Sequence, residues 1–93
     1  MTRKVVYNAC YGGFGLSTRA QEMYLKMTGK GFFEEDDLQR HDPYLIAVVD
    51  NLGEKANRSS SNLRITEVEG PYRIEEYDGY ETVKEPADLT WIY

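Results

Sequence analysis

Hydrophobic and polar positions change period along the chain. Residues 3–9 place β-branched Val5 and Val6 and aromatic Tyr7 after a charged start, which predicts a strand running toward Asn8 and Cys10. From Leu16 the spacing becomes helical: Leu16, Ala20, Met23, Tyr24 and Met27 share one face. Ser17 or Thr18 serves as N-cap, Thr18 and Gln21 have the capping-box spacing, and Gly29 is a natural stop, so the first helix is predicted over 18–28. Asp42-Pro43 is a second helix start, an N-cap followed by proline at the first helical position. Leu45, Val48, Val49, Leu52 and Ala56 give that helix its stripe, over 43–56. Gly53 inside it costs about 1 kcal/mol against alanine and suggests that another backbone comes close.

After the polar loop Asn57-Arg58-Ser59-Ser60-Ser61 the period falls to two. Residues 62–68 set Leu63 and Ile65 against Arg64 and Thr66, and 72–77 and 80–84 flank Asp78-Gly79, a hairpin signal. Pro86 ends the last strand, and Leu89–Tyr93 form an apolar tail expected to dock on the body or on a neighbouring subunit. These elements predict one α+β domain spanning residues 1–93, a small mixed β-sheet with two helices packed on one face, in which 3–9 and 62–68 pair in parallel.

Composition narrows the setting. With 93 residues the chain builds one modest core, and an apolar fraction of 41% separates it from disordered sequences. No stretch approaches the roughly 18 apolar residues of a membrane span, so no membrane partner is expected. The start lacks the apolar core of a secretory signal. A lone cysteine, Cys10, excludes an internal disulfide and fits a reducing cytosol. The net charge of −5 is unevenly distributed: residues 1–31 hold five basic side chains and one acidic, residues 32–93 six basic and fifteen acidic. An acidic whole argues against a nucleic acid polymer as partner, while leaving a small anion near the basic third.

That third contains the stretch with chemical promise, Tyr11-Gly12-Gly13-Phe14-Gly15-Leu16-Ser17, a strand-to-helix corner with three glycines in four residues. Glycines open backbone conformations closed to other residues and let a ligand approach the main chain. Such a corner aims N–H groups and a helix N-terminus at an anion. The spacing is neither the dinucleotide fingerprint nor the P-loop. Ser17 and Thr18 add hydroxyls and Arg19 a fork of donors suited to phosphate. Tyr11 and Phe14 are candidates for stacking on a base, worth about 1–3 kcal/mol, with core packing as the competing reading. Arg64 points opposite to Leu63 and Ile65, toward a ligand or toward solvent. In Glu75-Glu76-Tyr77-Asp78-Gly79 a carboxylate can accept from the N–H edge of a guanine, and Tyr77 can stack or donate. Glu75 and Glu76 are strand neighbours on opposite faces, so they do not form an acid/base pair on one bond. The expected ligand-binding set is therefore Tyr11, Gly12, Gly13, Phe14, Gly15, Ser17, Thr18, Arg19, Arg64, Glu76 and Tyr77.

No Ser/His/Asp set or metal-ligand spacing is present, Cys10 has no evident activating base, and His41 is the single histidine. Cys10 is expected to be a buried structural thiol. The run Glu34-Glu35-Asp36-Asp37 reads as a solvated turn rather than a metal site. The sequence thus argues for a non-enzyme without cofactor or metal.

Val5-Val6-Tyr7-Asn8 running into Cys10-Tyr11-Gly12-Gly13-Phe14-Gly15-Leu16-Ser17 resembles a widespread family of small tailed-phage proteins. Further landmarks are Asp42-Pro43, Asn51-Leu52-Gly53-Glu54-Lys55-Ala56-Asn57, Leu63-Arg64-Ile65 and Ile74-Glu75-Glu76-Tyr77-Asp78-Gly79, so the likeness covers residues 4–84. The tail departs: Lys84–Trp91 keeps the family's tryptophan but not the histidine and basic residues before it. That family in turn looks like the phage anti-CBASS sponges, which bind cyclic di- or oligonucleotide immune signals without cleaving them. The resemblance implies a cyclic nucleotide ligand and a place in the cytoplasm of an infected bacterial host. A homodimer is expected because a small domain with an apolar tail gains by pairing. Two other readings compete: an acidic protein-binding inhibitor whose excess of carboxylates over residues 32–93 blocks a basic host enzyme, and an enzyme acting on a nucleotide.

Overall fold

The computed structural model describes residues 2–35 and 38–85. Strand β1 (Arg3–Asn8) leads through the glycine corner into helix α1 (Thr18–Thr28), followed by helix α2 (Pro43–Leu52), a 3₁₀ turn (Gly53–Ala56), and strands β2 (Leu63–Val68), β3 (Arg73–Tyr77) and β4 (Tyr80–Lys84). The fold is α+β, but the strands form two antiparallel pairs, β1–β2 and β3–β4, rather than one mixed sheet.

The expected parallel pairing of 3–9 with 62–68 is replaced by an antiparallel register running from Arg3 opposite Val68 to Asn8 opposite Leu63. The cause lies in the loop before β2. Leu16 bridges Asn57, and Ala9 N–H donates to the Asn62 carbonyl at 2.8 Å, so β2 starts beside the end of β1 and must run back along it.

Both helices form where their caps indicate. Ser17 Oγ accepts from Ala20 N–H at 3.1 Å, and Gly29 closes α1 in the left-handed region at φ 75°. Asp42 caps α2 through Tyr44 N–H at 2.8 Å, and its second oxygen accepts from the Tyr24 hydroxyl at 2.6 Å. Burial, then the hydrogen bond to Asp42 and the charge of its carboxylate, push the Tyr24 phenol up to about 12. α2 stops at Leu52, before the end expected at 56. Gly53 adopts φ 56° and ψ −127°, and a Cβ there would meet nothing within 4 Å. It is a helix-ending conformation, not a site of close backbone approach.

Val6 and Leu63 lie on one face of the β1–β2 ribbon, and the core gathers them with Leu16, Ala20, Tyr24, Leu45, Val48, Val49 and Ala56. Helix α2 packs on that face, while α1 packs chiefly on α2 and the 3₁₀ turn rather than on the sheet as expected. Each fully buried Val or Leu contributes about 1.5–3 kcal/mol.

The register turns the N–H groups of Val6 and Asn8 away from β2. Val6 N–H donates to the Arg40 carbonyl at 2.8 Å and Asn8 N–H to Glu81 Oε1 at 2.9 Å. The exposed edge of β1 is thus closed by one carbonyl and one carboxylate. Asp78 (φ 53°) and Gly79 (φ 93°) both take positive φ, the pattern of a type I′ turn, and join β3 to β4 as Asp-Gly predicts. The tail expected to dock, Leu89–Tyr93, lies outside the described residues, as do Asp36 and Asp37 of the acidic run.

Candidate ligand-binding site

Each glycine of the corner has a physical reason. A Cβ on Gly12 would overlap the Ser60 carbonyl, and one on Gly15 would overlap the Arg58 guanidinium. Gly13 takes φ 92°. The hairpin reaches the same place, since a Cβ on Gly79 would overlap the Tyr11 carbonyl and lie 2.7 Å from Gly13 N. The corner is therefore a packing hub between the loop before β2 and the β3–β4 turn. Ser17 N–H is consumed by the Ala56 carbonyl at 2.8 Å, and the Phe14 and Gly15 carbonyls accept from Arg58 Nη2 and Ser61 Oγ, each at 2.8 Å. The turn at Tyr11–Gly12 directs Gly13 N–H back toward the Cys10 carbonyl, and residues 14–16 are buried, so the main chain of the corner presents little open N–H surface.

Several expected ligand residues turn out to have other work. Phe14 is 9% exposed, and the Arg40 guanidinium lies over its ring at 3.6 Å from the centroid. It packs instead of offering a face to a base. Arg40 in turn makes a two-pronged ion pair with Glu81, 2.9 Å at Nη2–Oε2. Asn8, fully buried, donates to the Cys10 and Gly79 carbonyls and accepts from Asn62 N–H, so it ties corner, hairpin and β2 together. The Ser17 hydroxyl is spent on its cap and on the Lys55 carbonyl at 2.7 Å. Thr18 and Arg19 are exposed on the first turn of α1. Arg64 is exposed on β2 opposite Tyr7, and is not among the residues lining the cleft described next. Cys10 is half-buried, with Sγ 2.9 Å from the Ser60 carbonyl, and His41 Nδ1 meets the Tyr72 hydroxyl at 2.7 Å. Burial raises the Tyr72 phenol above its ordinary value, against the opposing pull of Arg3 and Arg40.

What the corner does expose is aromatic. Tyr77 and Tyr80 are cross-strand partners on one face of the hairpin, together with the pair Glu75 and Thr82 and the pair Arg73 and Lys84. Tyr11 leans from the corner onto Tyr80, with ring centroids 5.2 Å apart and planes at 48°. Tyr77 is 76% and Tyr11 66% exposed, a large unshielded aromatic area for so small a domain. An open cleft of about 340 Å³ runs between these rings, bordered by Glu75, Glu76, Thr82 and Lys84. Glu76 Oε2 accepts from Gly79 N–H at 3.1 Å, while Glu75 Oε2 is held by Arg73 Nε and Nη2 at 3.1 and 2.6 Å.

The structure thus brings Tyr11, Gly12, Gly13, Glu76 and Tyr77 to one neighbourhood and adds two residues the sequence did not single out. Tyr80 follows once the hairpin register is known. Arg58 carries no sequence signal, since an arginine among serines reads as a solvated loop. Its guanidinium lies against Gly15, one of its N–H groups is spent on the Phe14 carbonyl, and it has no carboxylate partner among the described residues. A second cleft of about 350 Å³, beyond Glu76, is lined by Glu35 and Glu81 as well as Arg40. Three carboxylates against one paired guanidinium make it a poor place for phosphate.

No family model, curated protein or solved structure significantly matches the chain. No helix among the described residues is long and apolar enough to cross a membrane.

Proposed function

We propose that the protein captures a cyclic di- or oligonucleotide and holds it unaltered, as a phage immune-evasion protein acting in the cytoplasm of the infected bacterium. The observation that carries this reading is the exposed Tyr11–Tyr80 pair, with Tyr77 beside it, at the edge of a glycine corner that Arg58 borders. Bases stack on the tyrosines, at about 1–3 kcal/mol each. Phosphates meet the spare donors of Arg58 at the rim of the corner. The resemblance of the corner and of Glu75–Gly79 to the phage family supports the same ligand class. A second copy of the chain is the proposed structural partner.

Titration calorimetry against cyclic dinucleotides, with recovery of the ligand by denaturation and mass spectrometry, tests the reading. Intact release is expected, and an altered mass would mean turnover. Folded protein that gives no heat with any cyclic nucleotide overturns it. The acidic excess over residues 32–93 favours a second reading, inhibition of a basic host enzyme. Salt-sensitive capture of such an enzyme with no nucleotide bound would select it.

A further inference from the structure

We infer that the tyrosine cleft selects guanine, with Glu75 as the group that recognises the base edge. The inference rests on the nucleotide reading of the cleft and names the base it takes. Two carboxylates border the cleft, and they are not equivalent. Glu76 pairs across the hairpin with Glu81, on the face turned toward Arg40, and its Oε2 is taken by Gly79 N–H. Glu75 pairs with Thr82, on the face that carries Tyr77 and Tyr80. Both hydrogen bonds from Arg73 fall on Glu75 Oε2, which leaves Oε1 as an open acceptor and fixes the carboxylate beside the rings.

A carboxylate held in this way accepts and does not donate. Guanine presents two adjacent donors, N1–H and the N2 amino group, which converge on the open Oε1 while Arg73 keeps Oε2. Adenine presents the N1 lone pair at the same place, next to a single amino donor, so the carboxylate faces a lone pair. Hypoxanthine keeps N1–H and lacks the N2 amino group. Stacking on tyrosine distinguishes these purines little, since each has a similar π-face. The edge contact therefore decides, and the expected order is guanine, hypoxanthine, adenine. Glu75 is 44% exposed, so water competes and the discrimination sits toward the low end for a two-bond base contact, about tenfold.

The test is calorimetry of the whole protein with cyclic di-GMP, cyclic di-IMP and cyclic di-AMP, repeated on Glu75→Ala and on Arg73→Ala. The wild type is expected to prefer cyclic di-GMP over cyclic di-AMP by about tenfold, with cyclic di-IMP between them. Glu75→Ala should bring that ratio to about one, and Arg73→Ala, which frees the carboxylate to move, should reduce it. A stabilising role alone for Glu75 would lower all three affinities together and leave the ratio intact. Equal binding of the three ligands, or a preference that survives Glu75→Ala, overturns the guanine inference and leaves the nucleotide reading standing. Absence of binding by all three in the folded wild type overturns the guanine inference, and only a null result with every cyclic nucleotide overturns the nucleotide reading as well.

Discussion

Replacing Glu81 by alanine tests how the hairpin is fastened to the body of the protein. Glu81 is 6% exposed and accepts three hydrogen bonds, from Asn8 N–H and from two nitrogens of Arg40. Its loss strands a guanidinium whose side chain is 21% exposed and orphans the N–H of a fully buried residue. Removing one member of a buried ion pair costs about 3–5 kcal/mol, and an unsatisfied buried amide about 1–3 kcal/mol. Arg40 keeps some water contact and stacks on Phe14, and water entering the vacated space serves both orphans, so the low end applies: about 3 kcal/mol. For a domain of this size that lowers Tm by about 12–24 °C. Glu81→Gln retains an acceptor for Asn8 and should lose about half as much, roughly 1.5 kcal/mol. Urea unfolding of the wild type, both single variants and the Arg40→Ala/Glu81→Ala pair supplies the measurement. The double variant should be less destabilised than the sum of its singles, because no cation is then stranded. A Glu81→Ala protein within about 0.5 kcal/mol of wild type, or strict additivity in the pair, refutes the reasoning.

Gly12→Ala drives a methyl group into the Ser60 carbonyl and should cost about 2–3 kcal/mol, whereas Gly29→Ala, with open space and only its φ of 75° to strain it, should cost about 1 kcal/mol; urea midpoints compare the two. Stability should fall as pH rises from about 10 to about 12: the folded-state phenol of Tyr24 is raised, so its contribution is complete below the ordinary tyrosine value and disappears as pH passes the folded value. Tyr24→Phe should flatten that slope without abolishing it, because Tyr72 is raised in the same direction; alkaline denaturation followed by circular dichroism reads it. Phe14→Ala should remove about 3–5 kcal/mol of stability, while Tyr11→Ala should change stability by less than about 0.5 kcal/mol and weaken nucleotide binding by about 1–3 kcal/mol, separating the buried ring from the exposed one.

Local chemistry made the helices readable: Ser17 and Gly29 announced both ends of α1, Asp42 and Pro43 the start of α2 though not its stop at Leu52, and Asp78-Gly79 the hairpin. Strand direction was not readable, because it depends on where the loop after Ala56 delivers the chain, and that loop is held by contacts with residues 9–17. The candidate site shows the same division. Glycines at 12, 13 and 15 suggest room for a ligand at the main chain, yet what approaches there is the protein's own Ser60, Arg58 and Gly79. Two aromatic residues three apart gave no hint that Tyr11 would stay exposed while Phe14 went under Arg40, a partner 26 positions away. Asn8, Arg40 and Glu81 form one network, but their partners are separated by 41 and 73 residues, beyond any local pattern.

Hairpin tips ordinarily accept inserted residues, because they project into solvent. This one is wedged: Gly79 presses on the Tyr11 carbonyl and Gly13 nitrogen, and its own carbonyl receives Asn8 Nδ2 at 2.9 Å. An epitope or fluorescent label spliced between Asp78 and Gly79 would pry two parts of the molecule apart and misalign Tyr80 from Tyr11. The stretch Gly29–Gly31, where added Cβ atoms at both glycines meet nothing within 4 Å, is the safer position for such a graft.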